Sequence, residues 1–390
     1  MSDAAPPALG AALWWRLLLG LLAAGGLLAL DLARRPAPAV VPTATVATAP
    51  APAALVWQAG GAIPMPANTP AAHASSLLAL PATHAAALMA FWFAGTRESA
   101  PDVQIAASQF DRASGRWSPA RFVLDRQALG EALGFAVRRL GNPVAWLDPQ
   151  GRIHLFVVAT GLGGWAAARI VHLRQRGGSD LSQLSFVPVQ VLPLGWWWNT
   201  SFLVRNAPLP LADGGMVLPV HFELGIKYPL ALRFDAAGRY LGAARISARR
   251  HLLQPSLLPL GPSNWLALMR DQRRDGRVGV ARTQDGGRSW QDSPDLALVN
   301  PDSALAALAL APGRLLLAHN PLPASRSQLD LSQSADGVQW APVQPLAQGQ
   351  PNQEFSYPAL AWADDSLWVS YTDQRRQIAW QRFAAPAAKP

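Results

Sequence analysis

From residue 73 onward the chain repeats one arrangement of apolar and polar positions: a small or polar residue, a short apolar strand, a tight turn, then a second apolar strand. Residues 73–93 (HASSLLALPATHAAALMAFWF), 141–159 (GNPVAWLDPQGRIHLFVVA) and 205–222 (RNAPLPLADGGMVLPVHF) follow it. So do residues 253–271 (LQPSLLPLGPSNWLALMRD), 300–320 (NPDSALAALALAPGRLLLAHN) and 355–373 (FSYPALAWADDSLWVSYTD). Asp-Gly, Pro-Gly, Gly-Pro or a polar substitute between apolar runs reads as a hairpin. The six copies start roughly 45 to 70 residues apart, which leaves room for four strands and a loop each. Four-stranded units that cannot cover their own faces close radially, so the pattern predicts an all-β, six-bladed β-propeller over residues 55–384.

A second repeated element lies between the copies. Thr283-Gln284-Asp285-Gly286-Gly287-Arg288-Ser289-Trp290 and Ser334-Ala335-Asp336-Gly337-Val338-Gln339-Trp340 are two versions of one turn. Its Asp and Ser/Thr side chains suit local backbone amides, its Gly suits positive φ, and its Trp plugs the adjoining seam. Weaker relatives occur at residues 110–117 and 234–240, and the expected role of all four is structural.

The amino-terminal stretch breaks this pattern. Residues 8–30 are long enough to span a bilayer but are interrupted by Arg16. Two readings compete: a membrane anchor ending near residue 34, or a cleaved signal with a cleavage site at Ala37-Pro38-Ala39. Arg34 and Arg35 after the apolar run, and Arg16 within it, favour the anchor, which would place the propeller in the periplasm at the inner membrane. Cleavage would release it as a secreted protein. Residues 35–54, rich in Ala and Pro, read as an extended spacer, and residues 385–390 as a short tail.

Composition narrows the chemistry. With no cysteine, disulfides, thiolate metal sites and Cys nucleophiles are excluded. The net charge of +9 comes almost wholly from arginine, because Lys227 and Lys389 are the two lysines; it points to anionic partners. The arginines are scattered among Trp, Leu and Pro rather than set in a stripe, so nucleic acid is not expected. Residues 161–164 (GLGG) lack the lysine of a phosphate-binding loop, no His/Asp cluster has metal-ligand spacing, and no obligatory cofactor is expected.

The two Asp-Gly-x-x-Trp turns resemble the Asp boxes of the sialidase (neuraminidase) superfamily, and from residue 73 to about 383 the order of elements is similar to bacterial predicted neuraminidases with BNR repeats. The resemblance implies an exo-acting glycosidase on an acidic sugar. Such enzymes hold the substrate carboxylate with three arginines, attack the anomeric carbon with a tyrosine activated by a glutamate, and protonate the leaving group with an aspartate. A neutral phenol avoids the repulsion a carboxylate nucleophile would meet beside the sugar's own carboxylate, and guanidinium forks match that carboxylate.

Carried over, the resemblance implies Arg270 and Arg326 as carboxylate ligands, each shortly ahead of one of the clear boxes, and Tyr357 as nucleophile. It implies Asp102, with Glu98 as the alternative, as the loop acid. The chain departs from the pattern twice: His73 stands where the first arginine is expected, and Gln254 where the activating glutamate is expected. Arg97 offers a third cation, and Glu354 or Glu223 a base. Two other readings stay open. A polysaccharide lyase would use His73, His221 and Tyr357 on a uronate, and a glycan-binding propeller without catalysis would stack sugars on aromatics such as Trp196-Trp197-Trp198.

Overall fold

The structure, a computed structural model, describes residues 11–34, 45, 54–195, 199–273 and 275–384. The Trp196-Trp197-Trp198 cluster, most of the spacer and the carboxyl tail lie outside the described residues. Two units are present, one ending at Ala39 and one beginning at Val40. In the first, Ala11–Arg34 is a helix, and its Leu13–Leu30 stretch, of mean hydropathy 1.8, is long and apolar enough to cross a membrane by length and composition.

The second unit is a six-bladed propeller. Each sequence copy forms the two inner strands of one antiparallel sheet, and the following residues form the outer strands. Blade I begins with Ala71–Ala79, blade II with Arg139–Leu147, blade IV with Leu252–Pro259, blade V with Ala306–Ala311 and blade VI with Phe355–Ala363. Blade III has a split inner strand, Phe202–Val204 and Leu209–Pro210, both paired with Met216–Phe222.

Closure of the ring was not legible in the repeat. The outermost strand of blade VI is Val56–Ala62, from the start of the domain, paired antiparallel with Gln377–Ala384 at its end. The two ends of the domain thereby complete one sheet.

The core is distributed. Six clusters of buried apolar side chains occur, one in each seam between adjacent blades, including the seam between blades VI and I where Trp92 and Trp368 meet Ile63 and Ile378. Strands covered on both faces explain why Ala86–Gly95 and Ile153–Thr160 are buried throughout and read as continuous apolar runs.

The repeated turns join third and fourth strands. Asp285 accepts from the Ser289 amide (3.0 Å) and hydroxyl (2.6 Å) and from Thr283 Oγ1 (2.7 Å), while the Gly287 amide donates to Thr283 Oγ1. Gly287, at φ +90°, lies so close to the Trp265 ring that a Cβ would come within 2.8 Å of it. Asp285→Ala removes these acceptors and is expected to lower stability by about 1–2 kcal/mol, seen as a drop of about 2–4 °C in Tm.

Candidate active site

All six inner strands carry a residue with left-handed backbone near or just before their start: Ala74 (φ 55°), Asn142 (41°), Ser201 (67°), Gln254 (50°), Asp302 (50°) and Tyr357 (53°). Strand register slips beside four of them, between His73/Ser76, Gly141/Val144, Leu253/Ser256 and Ser356/Ala359. A bulge of this kind re-aims a side chain out of the ladder. Such backbone costs on the order of 1–3 kcal/mol per residue and persists where the surroundings hold it. At blades IV, V and VI it delivers Gln254, Asp302 and Tyr357 to one guanidinium.

That guanidinium is Arg270, at the end of the second strand of blade IV, opposite Leu253. Its Nε donates to Asp302 Oδ1 at 2.7 Å, and its Nη1 donates to Gln254 Oε1 at 3.1 Å and to the Tyr357 hydroxyl at 3.4 Å. Burial alone would lower the Arg270 pKa, but the Tyr357 phenol and Asp302 hold it above the usual arginine value.

Asp302 continues the network, because its backbone carbonyl accepts from Arg326 Nη2. Arg326 Nη1 donates to Glu354 Oε1 at 3.1 Å. Glu354 also accepts from Arg375 (2.9 Å from Nε, 3.3 Å from Nη2) and from the Ser356 hydroxyl at 2.7 Å. Burial would raise the Glu354 pKa, but the bonds from Arg375 and Ser356, with the charges of Arg375 and Arg326, bring it down to about 2. The last link is an ion pair from Arg375 Nη1 to Glu98.

Beneath this network lies Tyr357. The His73 ring stands 4.2 Å from the Tyr357 ring and 5.4 Å from that of Phe93. His73 is 2% exposed, and neither ring nitrogen has a hydrogen-bond partner among the described residues. Burial first, then the Arg375 charge, lowers its pKa to about 3, so it stays neutral. The guanidinium of Arg205, also 2% exposed, lies 5.2 Å from the Tyr357 ring centroid and donates to the carbonyls of Ser75 (3.2 Å) and Pro358 (2.8 Å). It ties blade III to blades I and VI across the centre of the ring, and burial lowers its pKa to about 10.

Arg270, Gln254, Tyr357, His73, Arg326, Glu354 and Glu98 are therefore drawn into one connected cluster on the face opposite the repeated turns. Arg97 lines the same cleft as His73, Glu98 and Arg375, is exposed, and has no ion pair among the described residues. Asp102 is held apart: its carboxylate accepts from the Thr96 amide (2.8 Å) and hydroxyl (2.9 Å). Its slight burial acts upward, but the two Thr96 bonds hold its pKa below the ordinary Asp value, the opposite of what a proton donor needs. Glu223 pairs with His221 at 3.3 Å, and its carbonyl accepts from Lys227. Among the described residues no carboxylate bonds the Tyr357 hydroxyl.

Three members of the cluster escaped the sequence reading: Asp302, Arg205 and Arg375. Asp302 was within reach, since aligning the six copies puts it at the position of Gln254 and Tyr357. Arg375 lies on the short turn after Asp373, where nothing local marks it. No group of His, Asp and Glu able to hold a metal occurs among the described residues.

A closed ring of six four-stranded blades, bearing a tyrosine and a guanidinium network at one end, defines a sialidase-like propeller. By sequence the chain belongs to the family described as the BNR repeat-like domain, matched over residues 86–369. No curated protein matches it. Among solved structures it is similar to Trypanosoma rangeli sialidase, with a TM-score of 0.65 and 13% identity, covering 85% of this chain and 60% of that one. A Dyadobacter fermentans protein of unknown function gives a TM-score of 0.65 and 14% identity, with 86% of this chain and 100% of that one covered. The intramolecular trans-sialidase of Ruminococcus gnavus gives 0.57 and 11%, with 82% and 96% covered. At these identities the likeness establishes the fold. The chain spans about 60% of the length of the trypanosomal enzyme.

Proposed function

We propose that the chain is an exo-acting glycosidase of the sialidase type, acting on a carboxylated sugar at the end of a glycan. The observation that carries this reading is the half-sequestered Arg270 fork, which joins the Tyr357 hydroxyl, Gln254 and Asp302 at one point. In this reading Arg270 and Arg326 hold the sugar carboxylate and Tyr357 Oη attacks the anomeric carbon. Glu98 protonates the departing oxygen as the glycosidic bond breaks, and the phenol proton passes to water. Water then hydrolyses the glycosyl-tyrosine. We further propose that the amino-terminal helix anchors the propeller to the inner membrane from the periplasmic side.

The test is hydrolysis of aryl glycosides of N-acetylneuraminic acid and glucuronic acid by the full chain and by Tyr357→Phe. Loss of at least about 100-fold in kcat in the variant, with the glycan still bound, is the expected result, since the phenylalanine ring keeps the packing on His73 but has no nucleophilic oxygen. Undiminished turnover in Tyr357→Phe would overturn the assignment. An ultraviolet-absorbing unsaturated product would instead indicate the lyase chemistry.

One observation favours a second reading, a glycan-binding propeller without catalysis. Tyr357 has Arg270 as its hydrogen-bond partner and Gln254, not a carboxylate, beside it, so among the described residues no base bonds the phenol to take its proton. Saturable binding of an acidic glycan with no cleavage over long incubation would decide for it.

A further inference from the structure

We infer that Arg375 is the guanidinium that receives the ligand's carboxylate on the blade I side of the site, and that Glu98 is the counter-ion the ligand displaces. This rests on the acidic-glycan reading above.

The turn carrying Arg375 is fixed against blade I. The Arg375 carbonyl accepts from the Ala72 amide at 3.1 Å, one residue before His73, and the Gln374 amide donates to the Glu354 carbonyl at 2.7 Å. Gln374 and Arg375 both have left-handed backbone, at φ 49° and 57°. Two consecutive non-glycine residues in that region are held there by these cross-strand bonds, and strain of this kind is retained where a side chain must be presented. The chain therefore carries no cation on the inner strand of blade I, where His73 is neutral and buried, but brings one to its edge from the neighbouring blade.

The two edges of the Arg375 fork are held differently. Nε and Nη2 grip Glu354, which Arg326 and Ser356 also hold, so this edge is committed. Nη1 faces Glu98, whose one ion-pair partner among the described residues is Arg375 and which sits on an outer loop beside Ser99, itself at φ 62°. This second edge opens on a shallow cleft whose lining includes His73, Phe93, Arg97, Glu98 and Arg375. Within that lining two guanidiniums face one carboxylate; Arg97 has no ion pair among the described residues, and its charge acts on Asp102 outside the lining. An arriving carboxylate can take the place of Glu98 on Nη1 and meet Arg97 at once, leaving the Glu354 bonds intact. A planar fork with one edge anchored and one edge exchangeable is suited to this substitution, and the displaced Glu98, freed of its cation, is left in the cleft as an acid or a base.

The experiment is nuclear magnetic resonance titration of the full chain in detergent with methyl glycosides of N-acetylneuraminic and glucuronic acid, each as free acid and as methyl ester. The wild type is expected to prefer the acid. Arg375→Ala is expected to reduce that preference at least tenfold, Arg375→Lys to keep part of it, and Glu98→Gln to tighten acid binding severalfold while leaving ester binding unchanged. Arg375→Ala retaining the full acid-over-ester preference, or Glu98→Gln binding the acid no more tightly, overturns the inference while the functional reading stands. A wild type that binds acid and ester equally, or neither, removes the acidic-glycan reading and this inference with it. Unchanged melting temperatures in the lysine and glutamine variants separate these effects from loss of fold.

Discussion

Gln254→Glu is expected to raise turnover of an acidic aryl glycoside, by about 100-fold. In the proposed mechanism Gln254 stands where a base for Tyr357 is needed: its Oε1 and the Tyr357 hydroxyl share Arg270 Nη1, at 3.1 and 3.4 Å. Gln and Glu are nearly isosteric, and the left-handed backbone at this position is unaffected by the exchange. What changes is that the new side chain takes a proton. General bases contribute about 100- to 10,000-fold, and the adjoining guanidinium makes a carboxylate here a weaker base, which puts the gain at the lower end. The measurement is kcat against pH for the two forms, the variant gaining a limb in the acidic range. A rate unchanged by the substitution would show that Tyr357 is not limited by its proton.

Stability of the propeller should begin to fall below pH 6.5, well above the range in which carboxylates titrate. Burial brings His73 and His172 down to about 3 and His319 to about 4, from 6.5 in an open chain. For His73 and His172 nearby positive charges add to the effect, whereas the Asn320 contact partly opposes it at His319. Above pH 6.5 all three are neutral folded or unfolded, and the stability they permit is fully present. Below it the unfolded chain takes up three protons that the folded chain refuses, so stability is lost as pH falls towards the folded values. Each group contributes about 1.4 kcal/mol per pH unit in that window, so three contribute about 4. Against a total of about 5–15 kcal/mol, this empties the folded state near pH 4. Glu354, depressed to about 2, acts in the same direction but later, between pH 4.5 and 2. Urea midpoints at pH 7.5, 6 and 5 check this, and His172→Gln should remove about a third of the slope. Midpoints independent of pH would contradict it.

Much of the architecture was written locally. Two apolar runs around a tight turn suffice to mark an inner hairpin, and six such marks made the blade count readable. The same holds for Asp285 and Asp336, whose partners lie within a few residues. Arg270 and Arg326 were reached by resemblance, because each precedes a recognisable turn. Arg375 and its pairing with Glu98 were not, since 277 residues separate the two and the contact exists only once blades VI and I are neighbours. Arg205 likewise looks like one more arginine until the ring closes around it. Asp102 and Glu98 looked interchangeable in sequence, and the Thr96 bonds that distinguish them depend on how the loop folds back on itself.

The strand that completes blade VI has a bearing on how the protein is made. Val56–Ala62 is synthesised first among the propeller's strands, yet its partner, Gln377–Ala384, is synthesised last. For the whole intervening period it is an unpaired edge, the kind of segment that recruits other chains. Its composition suits the wait: after Trp57 it reads Gln-Ala-Gly-Gly-Ala, with little apolar surface for a stray strand to grip. Gly60 also answers the final fit, since a Cβ there would come within 3.0 Å of the Trp380 carbonyl. A valine pair at positions 60 and 61 would make a better strand and a worse nascent chain, with aggregates forming during translation rather than after it.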